Sequence, residues 1–269
     1  IGAGNITKRN HIPGFRNLDQ VELVGVVNRT IDSSNKVAEE FNIPKTYKNW
    51  SDLVSDSNID AVCIGTWPYL HKTIVKAALE HDKHVLVEGR LSMDAKQAHQ
   101  MLEASLTKPH LVTQVVPAPF TLQADQTIRD LITGGYVGEL LSVDLNVQRG
   151  LLNRNSPFEW RHNRDLSGYN IMLVGAWYES MLRWLPPVTS VSAIAKVVVP
   201  TRPDESGNQQ VCAIPDHVEI LCAIGQSTIG HMAFSEVTAA APPNQVWLYG
   251  SEGTLRVEVD IVSKQCQLS

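Results

Sequence analysis

The sequence predicts an α/β chain in two parts: a domain built on a parallel sheet, then an α+β domain on a largely antiparallel sheet. Three observations predict it. Short valine-rich runs alternate with helical patterns as far as Val116, the signature of successive βαβ units. Pro117-Ala118-Pro119 then interrupts the pattern. Beyond it, longer strand-like segments dominate, some with apolar residues at alternate positions, as in a sheet with one solvated face.

In chain order, the nearly continuous apolar run 21–27 predicts a buried strand. Residues 33–41 form a helical pattern that Pro44 prevents from continuing. Strands are expected at 61–65, 83–88 and 111–116, with helices over 72–81 and 94–105 between them. After the proline break a helix over 121–133 ends at Gly134-Gly135. Strands follow at 140–147, 188–199, 217–224, 227–234 and 245–249, with one helix over 171–185 stopped by Pro186-Pro187. The domains are therefore drawn as 1–117 and 118–269.

Composition narrows the class. With 43% hydrophobic residues and aperiodic Gly and Pro, the chain is neither disordered nor collagen-like. A net charge of −5 without any basic run argues against a nucleic-acid partner. No apolar stretch has the length of a membrane helix. Cys63, Cys212, Cys222 and Cys266 are widely spaced, which suggests neither a disulfide framework nor a zinc site and points to a reducing, cytoplasmic setting. The chain opens on Ile1 without an initiator Met, as a fragment would.

Gly2-Ala3-Gly4-Asn5-Ile6-Thr7 stands where a first strand should turn into a helix. The first glycine permits the tight turn, the second admits a pyrophosphate close to the backbone, and the helix N-terminus offers unpaired N–H groups to the phosphates. Thr7 takes the place of the third glycine of the dinucleotide fingerprint. The ribose-discriminating position, about 20 residues on, falls in Asn28-Arg29-Thr30, with no carboxylate for a ribose 2′-OH. Arg29 offers a partner for a 2′-phosphate, so NADP(H) is preferred to NAD(H).

Several segments together resemble the Gfo/Idh/MocA oxidoreductases, the glucose–fructose oxidoreductase and inositol dehydrogenase family. They are the glycine turn, Thr66-Trp67-Pro68-Tyr69-Leu70-His71, Lys83-His84-Val85-Leu86-Val87-Glu88, Thr133-Gly134-Gly135-Tyr136-Val137-Gly138-Glu139, Leu182-Arg183-Trp184-Leu185 and Tyr249-Gly250-Ser251-Glu252-Gly253-Thr254. The resemblance implies an N-terminal Rossmann domain and a C-terminal open sheet that carries the substrate and often mediates homo-oligomerisation. It places Thr66, Trp67, His71 and Glu88 beside the cofactor with Gly2, Gly4, Asn5, Ile6, Asn28 and Arg29. Relatives continue past the 249–254 turn, so the chain is expected to be truncated at both ends.

The catalytic positions depart from the pattern. The family's Glu-Lys-Pro is Glu88-Gly89-Arg90 here; Gly89 has no side chain to move a proton, and a guanidinium is a poor acid or base. In the 171–185 helix, the family's Asp, His and second Asp fall on Leu173, Trp177 and Ser180. Proton transfer is expected to fall to Tyr178, beside the lost histidine, to a water held by Arg161, or to a group in the C-terminal part expected to be missing. Trp160, Arg161 and Trp177 are candidates for the substrate. Asp216 and His217 are adjacent but are read as the start of a strand. The expectation is an NADP-dependent oxidoreductase acting on a sugar, polyol or related carbonyl through a rearranged site. The alternative is a non-catalytic nucleotide or sugar sensor on the same fold.

Overall fold

The computed structural model describes residues 1–149, 153, 155–169, 171–260 and 265–269, with Met172 described by its backbone alone. The chain divides into two compact units: Ile1–Val116 with Asp165–Gly168, and Pro117–Arg164 with Tyr169–Ser269.

In the first unit, β1 (Gly25–Val26) pairs parallel with β2 (Lys45–Thr46), and β3 (Ala61–Ile64), β4 (His84–Val87) and β5 (Thr113–Val115) form a parallel trio. Residues 1–3 join the two groups. Gly2 N–H donates to Val27 O, Ile1 N donates to Cys63 O and Gly65 N–H donates to Ile1 O, each at 2.8 Å. The order is therefore β2-β1-(1–3)-β3-β4-β5, and the direction of winding reverses between residues 1–3 and β3. Open parallel sheets bind their ligands at such a reversal, outside the C-terminal strand ends.

The first unit's helices are α1 (Ile12–Arg16), preceded by a π-helical turn Thr7–His11, α2 (Ile31–Glu40), α3 (Trp50–Ser55), α4 (Pro68–Glu80) and α5 (Ala95–Leu106). Thr30, Asn49 and Asp94 side chains accept the first-turn N–H groups of α2, α3 and α5. Ile64, Ile74, Ala78, Val85 and Val87 form the centre of this unit's core. The strand expected over 21–27 shrinks to Gly25–Val26, and β2 and α3 were not foreseen. Elements of two and six residues are too short to show a period.

The second unit holds a seven-stranded sheet in the order β14-β13-β12-β6-β11-β10-β7. Its strands are β6 (Leu140–Gln148), β7 (Val188–Lys196), β10 (His217–Ile224), β11 (Thr228–Ser235), β12 (Asn244–Gly250), β13 (Thr254–Asp260) and β14 (Gln265–Leu268). Only the β6–β11 pair is parallel, so the sheet is largely antiparallel. A separate hairpin pairs β8 (Thr201–Pro203) with β9 (Gln209–Val211). Val143, Leu145 and Val147 of β6 alternate into a core shared with Ile128 of α6 (Asp125–Thr133) and Leu173, Trp177 and Met181 of α8 (Met172–Leu182); α7 is the short helix Arg164–Ser167.

Two expectations for this unit change. Helix α6 starts four residues late because Thr121 forms its own turn, its O accepting Ala124 N–H and its hydroxyl donating to Asp125 Oδ1. Strands β13 and β14 and the β8–β9 hairpin were not foreseen.

Candidate functional site

The glycine turn is built as a cradle. Gly2 has φ +73°, and a Cβ there would stand 2.7 Å from Thr66 N, so only glycine fits. A Cβ on Gly4 would meet nothing within 4 Å: its backbone borders open space at the start of the first helix. Thr66 Oγ1 is buried and has no partner among the described residues. An open glycine backbone, a helix N-terminus and an orphaned hydroxyl fit the pyrophosphate and ribose groups of a dinucleotide. Asn5 and Ile6 form the opening of that helix, and Ile6 is exposed.

Thr7 replaces the third glycine without opening the packing. It is 8% exposed, and its Oγ1 occupies the space a Cβ on Gly65 would need. The close helix–strand approach is thus kept by moving the missing side chain to the strand's side. The π turn begins at Thr7 and ends at His11, whose Nε2 lies 2.5 Å from Glu88 Oε1. His11 was missed at the sequence level; its contact partner is 77 residues away.

Asn28 serves the loop. Its Oδ1 accepts Ala3 N–H at 2.6 Å, and its Nδ2 donates to Ser33 O and Oγ. Arg29 is exposed, with its guanidinium 5.8 Å from the Trp67 ring centroid. His71 is 1% exposed, with Nε2 2.8 Å from Thr66 O and Nδ1 3.1 Å from Leu91 O, so it ties the loops after β3 and β4 together. Burial pushes its pKa down, against the pull of the surrounding backbone carbonyls. Gly89 is open: a Cβ there would meet only Val116 O, at 4.0 Å. Arg90 bonds Ser167 Oγ.

In the second unit, Leu173, Trp177, Ser180 and Met181 recur along the inner side of α8, and Trp184 is buried just beyond its end. Trp177 is fully buried, stacked on Phe120 at 5.1 Å, and its Nε1 has no partner among the described residues. Tyr178, one residue on, is half-buried, and its hydroxyl accepts Val188 N–H at 3.0 Å. Arg161 lies over the Trp160 ring at 4.7 Å, with Nη1 3.0 Å from Glu159 Oε2. Asp216 accepts Val198 and Val199 N–H, and His217 begins β10. Among the described residues no group of His, Cys, Asp and Glu is arranged to hold a metal ion, and no helix is long and apolar enough to cross a membrane.

Residues 1–115 match the oxidoreductase family model with an NAD-binding Rossmann fold, and residues 126–256 match the Gfo/Idh/MocA C-terminal domain. The chain belongs to the Gfo/Idh/MocA oxidoreductases. Among its relatives is a D-xylose 1-dehydrogenase [NADP(+)] of Haloarcula marismortui, 28% identical over 96% of this chain and 71% of that enzyme. Another is a trans-1,2-dihydrobenzene-1,2-diol dehydrogenase of Danio rerio, 24% identical over 89% of this chain and 67% of that one. A solved levoglucosan dehydrogenase in complex with NADH and levoglucosan shares the fold with a TM-score of 0.84 at 18% identity, over 100% of this chain and 74% of that one. This chain spans about two thirds of the length of such curated relatives. As a Gfo/Idh/MocA chain it has a parallel nucleotide-binding sheet and a largely antiparallel C-terminal sheet.

Proposed function

We propose that the chain is an NADP(H)-dependent oxidoreductase acting on a sugar, polyol or related carbonyl, without the lysine and histidine that the family resemblance leads one to expect. The observation that carries this reading is the glycine cradle with Arg29 exposed beside it and Asn28 already committed to the loop. Gly2, Gly4 and the N-terminus of the first helix would hold the pyrophosphate, Thr66 a ribose hydroxyl, and Arg29 the 2′-phosphate. When bound, the nicotinamide supplies a hydride donor or acceptor. The protein contributes position and exclusion of water. Proton transfer falls to Tyr178, whose hydroxyl hydrogen remains available while its oxygen accepts Val188 N–H, or to a water held by Arg161.

Residues 1–117 would serve the nucleotide and residues 118–269 the substrate and self-association. Val191, Ile194 and Leu221 of the C-terminal sheet are 65%, 79% and 57% exposed, apolar area that a second copy would cover. The relatives' named substrates, a pentose and a dihydrodiol, support the polyol class. We read the protein as cytoplasmic from its cysteines, all four of them free thiols.

NADPH fluorescence titration followed by turnover on sugars and polyols tests this reading. Nucleotide binding with turnover is expected. No nucleotide binding sinks it. Binding without turnover on any substrate leaves the sensor reading, which the missing side chain at Gly89 and the burial of Leu173 and Trp177 favour.

A further inference from the structure

His11 closes the π-helical turn Thr7–His11, in which Ile12 N–H reaches back five residues to Thr7 O. A π turn holds one residue more than an α turn and so changes where the side chains at its end point. This one starts with Thr7 packed on Gly65, just past β3, and ends with His11 Nε2 2.5 Å from Glu88 Oε1. An ionised carboxylate only accepts, so the ring nitrogen donates. Both side chains are largely enclosed, at 13% and 18% exposure, and the imidazole lies 6.2 Å from the Phe15 ring.

Glu88 directly follows β4, and its N–H donates to Ile64 O at 2.9 Å, so it stands at the C-terminal ends of both β3 and β4. Among the described residues His11 is the only hydrogen-bond or ion-pair partner of its carboxylate. The second oxygen, Oε2, has no partner among them and is not shut away from solvent. Space lies beside it, since a Cβ on Gly89 would meet only Val116 O, at 4.0 Å.

The sheet order gives this oxygen its place. Winding reverses between residues 1–3 and β3, and a dinucleotide lies across such a reversal with one nucleoside on each side. Arg29, after β1, is on one side, and the glycine turn is in the middle. Glu88, after β4, is on the other. With the adenosine toward Arg29, the nicotinamide riboside falls toward Glu88.

We propose that His11 is a positioning residue for the nucleotide: by holding Oε1 of Glu88 it aims Oε2 at a hydroxyl of the nicotinamide-side ribose, which donates to it. This rests on the oxidoreductase reading above and adds to it the pair that holds the far end of the cofactor.

The test is calorimetric titration of the full chain with NADPH and with adenosine 2′,5′-bisphosphate, which carries the adenine side alone. His11→Phe keeps a ring beside Phe15 but cannot donate to Glu88. It should weaken NADPH by about ten-fold, as the loss of one charge-assisted contact would, and leave the bisphosphate within about two-fold. His11→Gln retains a donor and should recover part of the NADPH affinity. In a Glu88→Ala background, His11→Phe should have no further effect on NADPH, because no carboxylate is left to aim. If His11→Phe does not fold, His11→Gln and Glu88→Ala carry the same comparison: each should lower the affinity for NADPH and not for the bisphosphate. Equal weakening of both ligands overturns the proposal, since a purely structural role would loosen the glycine turn for both. Unchanged NADPH affinity, or additive effects of His11→Phe and Glu88→Ala, also overturns it. A chain that binds neither ligand sinks the oxidoreductase reading and this proposal together; one that binds both without discrimination by the variants sinks the proposal alone.

Discussion

Thr7 Oγ1 fills the space that a side chain on Gly65 would need, so the glycine missing from the first helix is supplied by the end of the facing strand. The dinucleotide fingerprint requires closeness between helix and sheet, and either partner can provide the small residue. Gly65→Ala should therefore cost about 1–3 kcal/mol in urea unfolding, the usual penalty of overpacking. Combined with Thr7→Ala the cost should fall, though not to zero, because the new Cβ would still lie 2.9 Å from Gly2 O. Simple additivity in this double-mutant cycle would show that the two positions do not compete for one space.

Arg29 decides cofactor choice if it pairs with a 2′-phosphate. Arg29→Ala is expected to weaken NADPH by about ten-fold or more while changing NADH by less, since one charge-assisted contact is lost. Equal weakening of both nucleotides would reduce Arg29 to its contact with Trp67.

The two positions where the family resemblance implies a catalytic lysine and histidine answer differently to restoration. Gly89 borders open space, so Gly89→Lys should leave the thermal midpoint close to that of the unaltered chain. Trp177 lies at the centre of the second unit's core, so Trp177→His should cost about 3–5 kcal/mol, by analogy with large aromatic truncations. Similar losses from both, measured by calorimetry, would contradict this difference in packing.

His71 gives stability a pH dependence. Burial lowers its folded pKa, so the unfolded chain takes up a proton near 6.5 that the folded chain resists. Its contribution is complete above that pH and declines as pH falls through it toward the lowered folded value. His71→Gln should be less stable at neutral pH, having lost a clamp between two loops, but should lose less between about pH 7 and about pH 5.5. Parallel unfolding curves for the two proteins across that range would rule the clamp out as the source.

Much of this fold is written in local pattern. The runs at 61–65, 83–88 and 217–224 coincide closely with strands because buried strands are runs of β-branched residues bounded by polar turns. The glycine turn is equally legible, since φ +73° at Gly2 and the absence of room beside Thr66 leave no other residue possible. Strand β14 and the hairpin β8–β9 were not legible, because short polar strands are held by their neighbours rather than by their own composition; β13, by contrast, carries a period-two signal in Leu255, Val257 and Val259.

Site chemistry divides in the same way. Sequence alone determined the two-part α/β architecture and the glycine turn. Only the tertiary structure decided the surroundings of the side chains: His11 against Glu88 across 77 residues, Asn28 committed to the loop, and Trp177 turned into a core. It also buried Arg202 against Asn153 and Ser156, on a hairpin no periodicity announced. The physical reason is range. Backbone preference and hydrophobic period act within a few residues, whereas the pairing and desolvation of a polar side chain depend on segments that meet only once the chain has folded.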